Sequence, residues 1–213
     1  VEHPVTEEIT GLDLVREQLR IAEGETLGYS QDDLTIDGHA IEARLYAEDP
    51  ANDFLPSPGK VIAWEPAANM QARFDSGVET GSEVSVDFDP LIAKVIVKAD
   101  TRREAAGRLA RVLENTRIQG VKNNRDFLVA TLRSPQFLQG DTTTDFIERV
   151  APNRTREVAI AEIDEALIAV VIHSQAVRRG QVGVLSTISS GWRNSVMPPE
   201  TVSFQTLDGE EIK

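Results

Sequence analysis

The chain has 213 residues, one full domain with part of a second at roughly 100–200 residues per domain, and a formal net charge of −13 from 22 Lys and Arg against 35 Asp and Glu. Proteins that bind nucleic acid draw most of their affinity from neutralising phosphates, so this balance argues against nucleic acid and equally against an anionic membrane surface. No cysteine is present, which removes disulfide frameworks and thiolate metal sites and fits a cytoplasmic protein, and no stretch approaches the ~20 apolar residues of a membrane span.

The first segment, Val1–Glu7 (VEHPVTE), reads as extended chain ahead of a helix. Residues 12–23 then form an amphipathic helix, with Leu12, Val15, Leu19 and Ala22 at helical spacing and Gly24 as its stop. A strand follows in which Ile41, Ala43 and Leu45 point one way and Glu42, Arg44 and Tyr46 the other. A loop rich in Pro and Gly, residues 49–59, leads to a strand over 60–64. Two more alternating strands carry Met70, Ala72 and Phe74, and Val84, Val86 and Phe88. Residues 93–97 read as a buried strand.

Thr101 and Glu104 form a capping box that opens a helix through about Leu113. Further helices are expected over about 124–132, stopping before Pro135, and near 144–150. A domain boundary is expected near 151–156. Beyond it, residues 163–178 form one strongly apolar helix closed by Arg178-Arg179-Gly180. A last strand, 201–207, runs into the turn signal Asp208-Gly209 just before the chain stops, so both ends read as cut from something longer. The fold class is α+β: a largely antiparallel sheet with flanking helices over 1–150, then a partial helix-plus-strand module over 156–213.

Few residues stand out chemically. His173 sits in the apolar helix, where a core or interface histidine is the ordinary reading, and no metal-ligand pattern is visible. Glu2 precedes a helix, and Arg44 lies opposite the apolar face of its strand. From pattern alone, a solvated glutamate and an arginine paired with Glu42 or Asp49 would account for both.

Four motifs in order change that weighting. Val1–Glu7 resembles the segment of biotin carboxylases that carries the base acting on bicarbonate. Residues 42–50 (EARLYAEDP) and 54–60 (FLPSPGK) resemble the start of that family's carboxyl-terminal domain. Residues 89–94 (DPLIAK) resemble its D-x-x-I-x-K strand, and 118–124 (IQGVKNN) its I-x-G-x-x-x-N turn. Residues 1–25 would then come from the end of the ATP-grasp part. The helix after 156 and Gly191-Trp192-Arg193-Asn194 resemble the linking region of acyl-CoA carboxylase α-subunits of the propionyl- or methylcrotonyl-type.

The resemblance implies roles residue by residue. Glu2 would be the general base for bicarbonate, and the backbone N–H of Val1 a bicarbonate contact. Arg44 would hold bicarbonate and then stabilise the ureido oxygen of biotin. Ile118 would wall the adenine site of ATP, and Asp89 would orient Arg44. Asn115–Gln119 also reads like the family's N-x-R-x-Q bicarbonate and metal stretch, but it aligns with the adenine-proximal turn and takes no such role. The parent enzyme would use ATP, Mg and bicarbonate to carboxylate carrier-bound biotin, work with a carboxyltransferase β-subunit, dimerise through its carboxylase part and serve fatty acid metabolism. The chain alone would be inactive. A non-catalytic dimerisation or subunit-docking module, or the equivalent part of pyruvate or urea carboxylase, are the alternative readings.

Overall fold

The computed structural model describes residues 3–67, 70–181, 183, 192, 194–195, 198, 201–205 and 211–212. The chain divides into two units, residues 1–156 and 157–213. In the first, α1 (His3–Thr10) and α2 (Leu14–Ala22) precede β1 (His39–Tyr46), β2 (Glu48–Asp49), β3 (Leu55–Pro56), β4 (Gly59–Lys60), β5 (Ala63–Glu65), β6 (Arg73–Ser76), β7 (Glu83–Val84) and β8 (Leu91–Ala99). Then come α3 (Arg102–Asn115), β9 (Arg117–Gln119), α4 (Arg125–Arg133), α5 (Pro135–Gln139) and α6 (Phe146–Val150). The second unit holds α7 (Ile160–Gly180) and the antiparallel pair β10 (Phe204–Gln205) and β11 (Glu211–Ile212).

The central sheet has the order β1-β8-β6 and is antiparallel throughout. One face carries Ile41, Ala43, Val95 and Val97 onto Ala105, Ala106, Leu109, Val112 and Leu113 of α3. Leu45, Val61, Trp64, Ile92 and Ile118 form a second cluster toward the end of β1. Strand β8 is buried on both faces, which accounts for its near-continuous apolar sequence. The face opposite α3 is covered by α1, which lies against β1 and β8. Glu7 of α1 accepts a 2.7 Å hydrogen bond from Arg73 Nη1, and Arg73 lies opposite Ile96 in the register, on that same face. The α+β class and the antiparallel sheet match the expectation.

The capping box forms as read, with Glu104 N donating to Thr101 Oγ1. Two other expectations are corrected. Residues 3–10 are helical rather than extended: Pro4 fits a first turn, and His3 pairs with Glu7 one turn later at 3.1 Å. The alternation through Val86 and Phe88 makes no strand beyond Val84, and these side chains are 75% and 82% exposed. Local bonds hold that segment instead: Asp87 N–H donates to Ser85 Oγ, and Leu91 N–H to Asp89 Oδ1. Such side-chain turns compete with ladder pairing.

The strand expected over 60–64 is split between β4 and β5, because residues 59–60 pair with β7 and 63–65 with β9. In the second unit α7 spans 160–180, and β11 supplies a return partner for β10. The turn at 208–209 lies outside the described residues, as do Gly191 and Arg193. No described helix is long and apolar enough to cross a membrane.

Candidate active site

Arg44 sits near the end of β1, one of the two edge strands of the central sheet, and its side chain is 44% exposed. Alternation fixes its direction. Ile41, Ala43 and Leu45 point into the cores, so Glu42 and Arg44 rise from the opposite face, the one on which α1 lies. The guanidinium stands 5.1 Å from the centre of the Tyr46 ring, a cation–π distance. Asp89 Oδ2 is 3.9 Å from Arg44 Nη2. That is a charge pair beyond hydrogen-bond range, and half-exposed pairs of this kind contribute about 0–1 kcal/mol.

Glu48 completes a cluster of three charges. Burial and the charge of Asp89 push its carboxyl above the ordinary glutamate range, while Arg44 pulls the other way. Arg44, Tyr46 and Glu48 line a cavity of about 450 Å³ together with Phe54, Phe127 and Thr131. A permanent cation beside an apolar-walled cleft can hold a small oxyanion and balance charge that develops there. Among the described residues no group of three His, Asp or Glu side chains could hold a metal ion.

The remaining sequence candidates fall in different places. Asp89 is brought to Arg44. Ile118 is buried in β9 opposite Trp64, packed among Leu45, Val61 and Ile92 rather than lining the Arg44 cleft. His173 is exposed on α7. Val1 and Glu2 lie outside the described residues, although residue 2 directly precedes α1 in the chain.

The turn over 118–124 shows what sequence reading missed. Gly120 has φ +104°, and a Cβ there would overlap Lys60 O and Ile62 N, so only glycine fits. Lys122 Nζ donates to Asp49 Oδ2 at 2.6 Å, and that hydrogen bond is the first cause holding the Asp49 carboxyl below its usual range. Asn124 is 6% exposed and reaches back to β1. Its Oδ1 accepts from Tyr46 N–H at 2.9 Å, and its Nδ2 donates to Arg44 O at 3.2 Å. The available signal was its place as the last residue of the I-x-G-x-x-x-N turn, which marks the position but does not name its partners on β1.

The amino-acid sequence matches two family models: "Biotin carboxylase C-terminal domain" over residues 42–149, and "Carbamoyl-phosphate synthase L chain, ATP binding domain" over residues 1–30. It is 49% identical over 149 residues to biotin carboxylase 2 of Bacillus subtilis, covering 70% of this chain and 33% of that protein. It is 39% identical over 206 residues to the propionyl-CoA carboxylase alpha chain of Ruegeria pomeroyi, covering 85% and 30%. In three dimensions it resembles the biotin carboxylase domain dimer of Hydrogenobacter thermophilus 2-oxoglutarate carboxylase, solved with MgADP, ADP and bicarbonate. There the TM-score is 0.69 and the identity 40%, covering 71% of this chain and 33% of that one. The chain thus spans about a third of the length of these proteins.

Proposed function

The chain belongs to the biotin carboxylase family, and from that membership we propose that it is part of the α-subunit of an acyl-CoA carboxylase of the propionyl- or methylcrotonyl-type. The parent enzyme is a ligase that uses ATP and bicarbonate to carboxylate carrier-bound biotin, and a partner carboxyltransferase β-subunit passes the carboxyl group to an acyl-CoA. Residues 1–150 are read as the carboxylase's last domain, with 1–25 ending its ATP-binding part, and 156–213 as the start of the linking region. The match to the Ruegeria relative supports the second assignment, since it runs over 206 residues.

The observation that carries the proposal is a shared sheet face. Arg44 rises from the face covered by α1, and α1 begins one residue after Glu2. In this reading Glu2 accepts the proton of bicarbonate, and the Val1 N–H contacts the same anion. Arg44 forks onto bicarbonate oxygens and then balances the charge that develops during carboxyl transfer. Asp89 orients the guanidinium weakly, through charge alone and without fixing it, and Ile118 backs the adenine pocket from within the core. Biotin would approach Arg44 from the open end of β1. Nucleotide phosphates and magnesium would be held by the ATP-binding part of the parent enzyme, so the isolated chain is inactive. Dimerisation through the carboxylase part and a cytoplasmic setting complete the proposal.

Carboxylation of free biotin by the full-length enzyme, supplied with ATP, magnesium and labelled bicarbonate, tests it. Bicarbonate-dependent turnover that Glu2→Gln abolishes is expected; no turnover in the wild type, or full turnover in Glu2→Gln, would overturn it. A docking role for residues 157–213 is favoured by one specific feature. Ile160, Ile168, Val170 and Ile172 of α7 are all exposed within that unit. Co-purification of the parent with a carboxyltransferase subunit, lost when these four are changed to Ser, would support it.

A further inference from the structure

We propose that Asn124 is a positioning residue for Arg44, deepening the reading above and resting on it. Helix α4 starts at Arg125, which makes Asn124 its N-cap residue. Asparagine is among the best N-caps because its side-chain oxygen can accept from the first free amides of its own helix. Here it makes no such bond. The neighbouring Asn123 Oδ1 accepts from Arg125 N–H instead, at 3.2 Å.

The side chain of Asn124 is spent on β1. Three bonds tie it there: Tyr46 N–H to its Oδ1 at 2.9 Å, its Nδ2 to Arg44 O at 3.2 Å, and its own N–H to Tyr46 O at 3.2 Å. Strand β1 is at the sheet edge, and among the described residues no strand pairs with it on this side. The asparagine amide stands in for one, with one acceptor and one donor presented to residues two apart. The ladder on the other side loses its regularity at this point, with a register shift between Leu45 and Tyr46. Asn124 thus holds the strand where β8 holds it least evenly.

The consequence reaches the guanidinium. Arg44 is long and half exposed, so where its head stands depends on where its backbone and the Tyr46 ring beside it are held. Asn124 binds the main chain of both residues. A polar side chain buried this fully, bonded through both its donor and its acceptor, is rigid. The Asp89 contact at 3.9 Å is too long to do the same.

The test uses the full-length enzyme and a double-mutant cycle. Asn124→Ala should lower kcat for biotin carboxylation by about 10- to 100-fold, as misplacement of up to about 1 Å does, and leave KM for ATP unchanged. In an Arg44→Ala background the same substitution should cost less than about twofold, because its effect runs through Arg44. Where Asn124→Ala does not fold, Asn124→Asp carries the test: it keeps the size and the acceptor for Tyr46 N–H and loses the donor to Arg44 O. Full kcat in the variant that folds, or a loss undiminished by Arg44→Ala, overturns the inference. Normal turnover in Arg44→Ala alone sinks the prior reading of Arg44 instead, so the two failures are separable.

Discussion

Helix α7 is by far the more apolar sequence and α3 an amphipathic one with four arginines, yet it is α3 that is buried. Helix α3 places Ala105, Leu109, Val112 and Leu113 on the sheet and buries all four completely. Helix α7 is the longer, and none of its described residues is buried; among the described residues Val202, Phe204 and Ile212 line a cleft with it. The difference teaches that apolar content does not make a core. A helix gains most of its stability from what covers it, and α3 has a nine-residue strand against it, whereas among the described residues the second unit offers two strands of two residues each.

The sharpest way to break this comparison is Leu109→Ala, which leaves a void in a site that cannot collapse onto solvent. It should cost about 2–5 kcal/mol in denaturant unfolding of the chain. Next in size is Gly120→Ala, which forces a side chain into a left-handed position against Lys60 O; a loss of at least about 1–3 kcal/mol is expected by the same method.

Smaller still is the acid response of the α1 contact. Burial alone would raise the Glu7 carboxyl, but hydrogen bonds from Arg73 and the Leu14 amide, with the close approach of His3, outweigh it and hold the group below the ordinary range. Its contribution is therefore complete above the unfolded glutamate pKa of about 4.3 and is lost as pH falls through the lower folded value. Glu7→Gln should flatten the fall in melting temperature below about pH 4; an unchanged acid limb would remove Glu7 as its source. The smallest effect is expected from Ile168→Ala on α7, within about 0.5 kcal/mol. A loss as large as that of Leu109→Ala would show that α7 is covered within the chain and would end the contrast.

Where sequence patterns served well, one periodicity had one physical cause. Strand β1 alternates because one face meets α3, and the Thr101–Glu104 box starts a helix because it satisfies free amides. Reading failed where local chemistry competes with periodicity. Residues 1–7 read as extended chain, but Pro4 and the His3–Glu7 pair favour a helical turn. Val86 and Phe88 alternate like a strand, yet the side chains of Ser85 and Asp89 capture the backbone first. At the site, Arg44 was legible from its motif and its place opposite an apolar face. Asn124 was legible as the end of the I-x-G-x-x-x-N turn, but its role was not, because its partners are about eighty residues earlier in the chain.

The most direct test of the central claim is the rate of biotin carboxylation by the full-length enzyme carrying Arg44→Ala, measured beside its melting temperature. Removing an exposed cation that orders oxyanions should lower kcat by at least about 10²–10³-fold and leave melting unchanged, because the guanidinium carries no core packing. Carboxylation at the wild-type rate with the same melting temperature would contradict the account, and Arg44 would then be only an exposed arginine at the edge of a sheet.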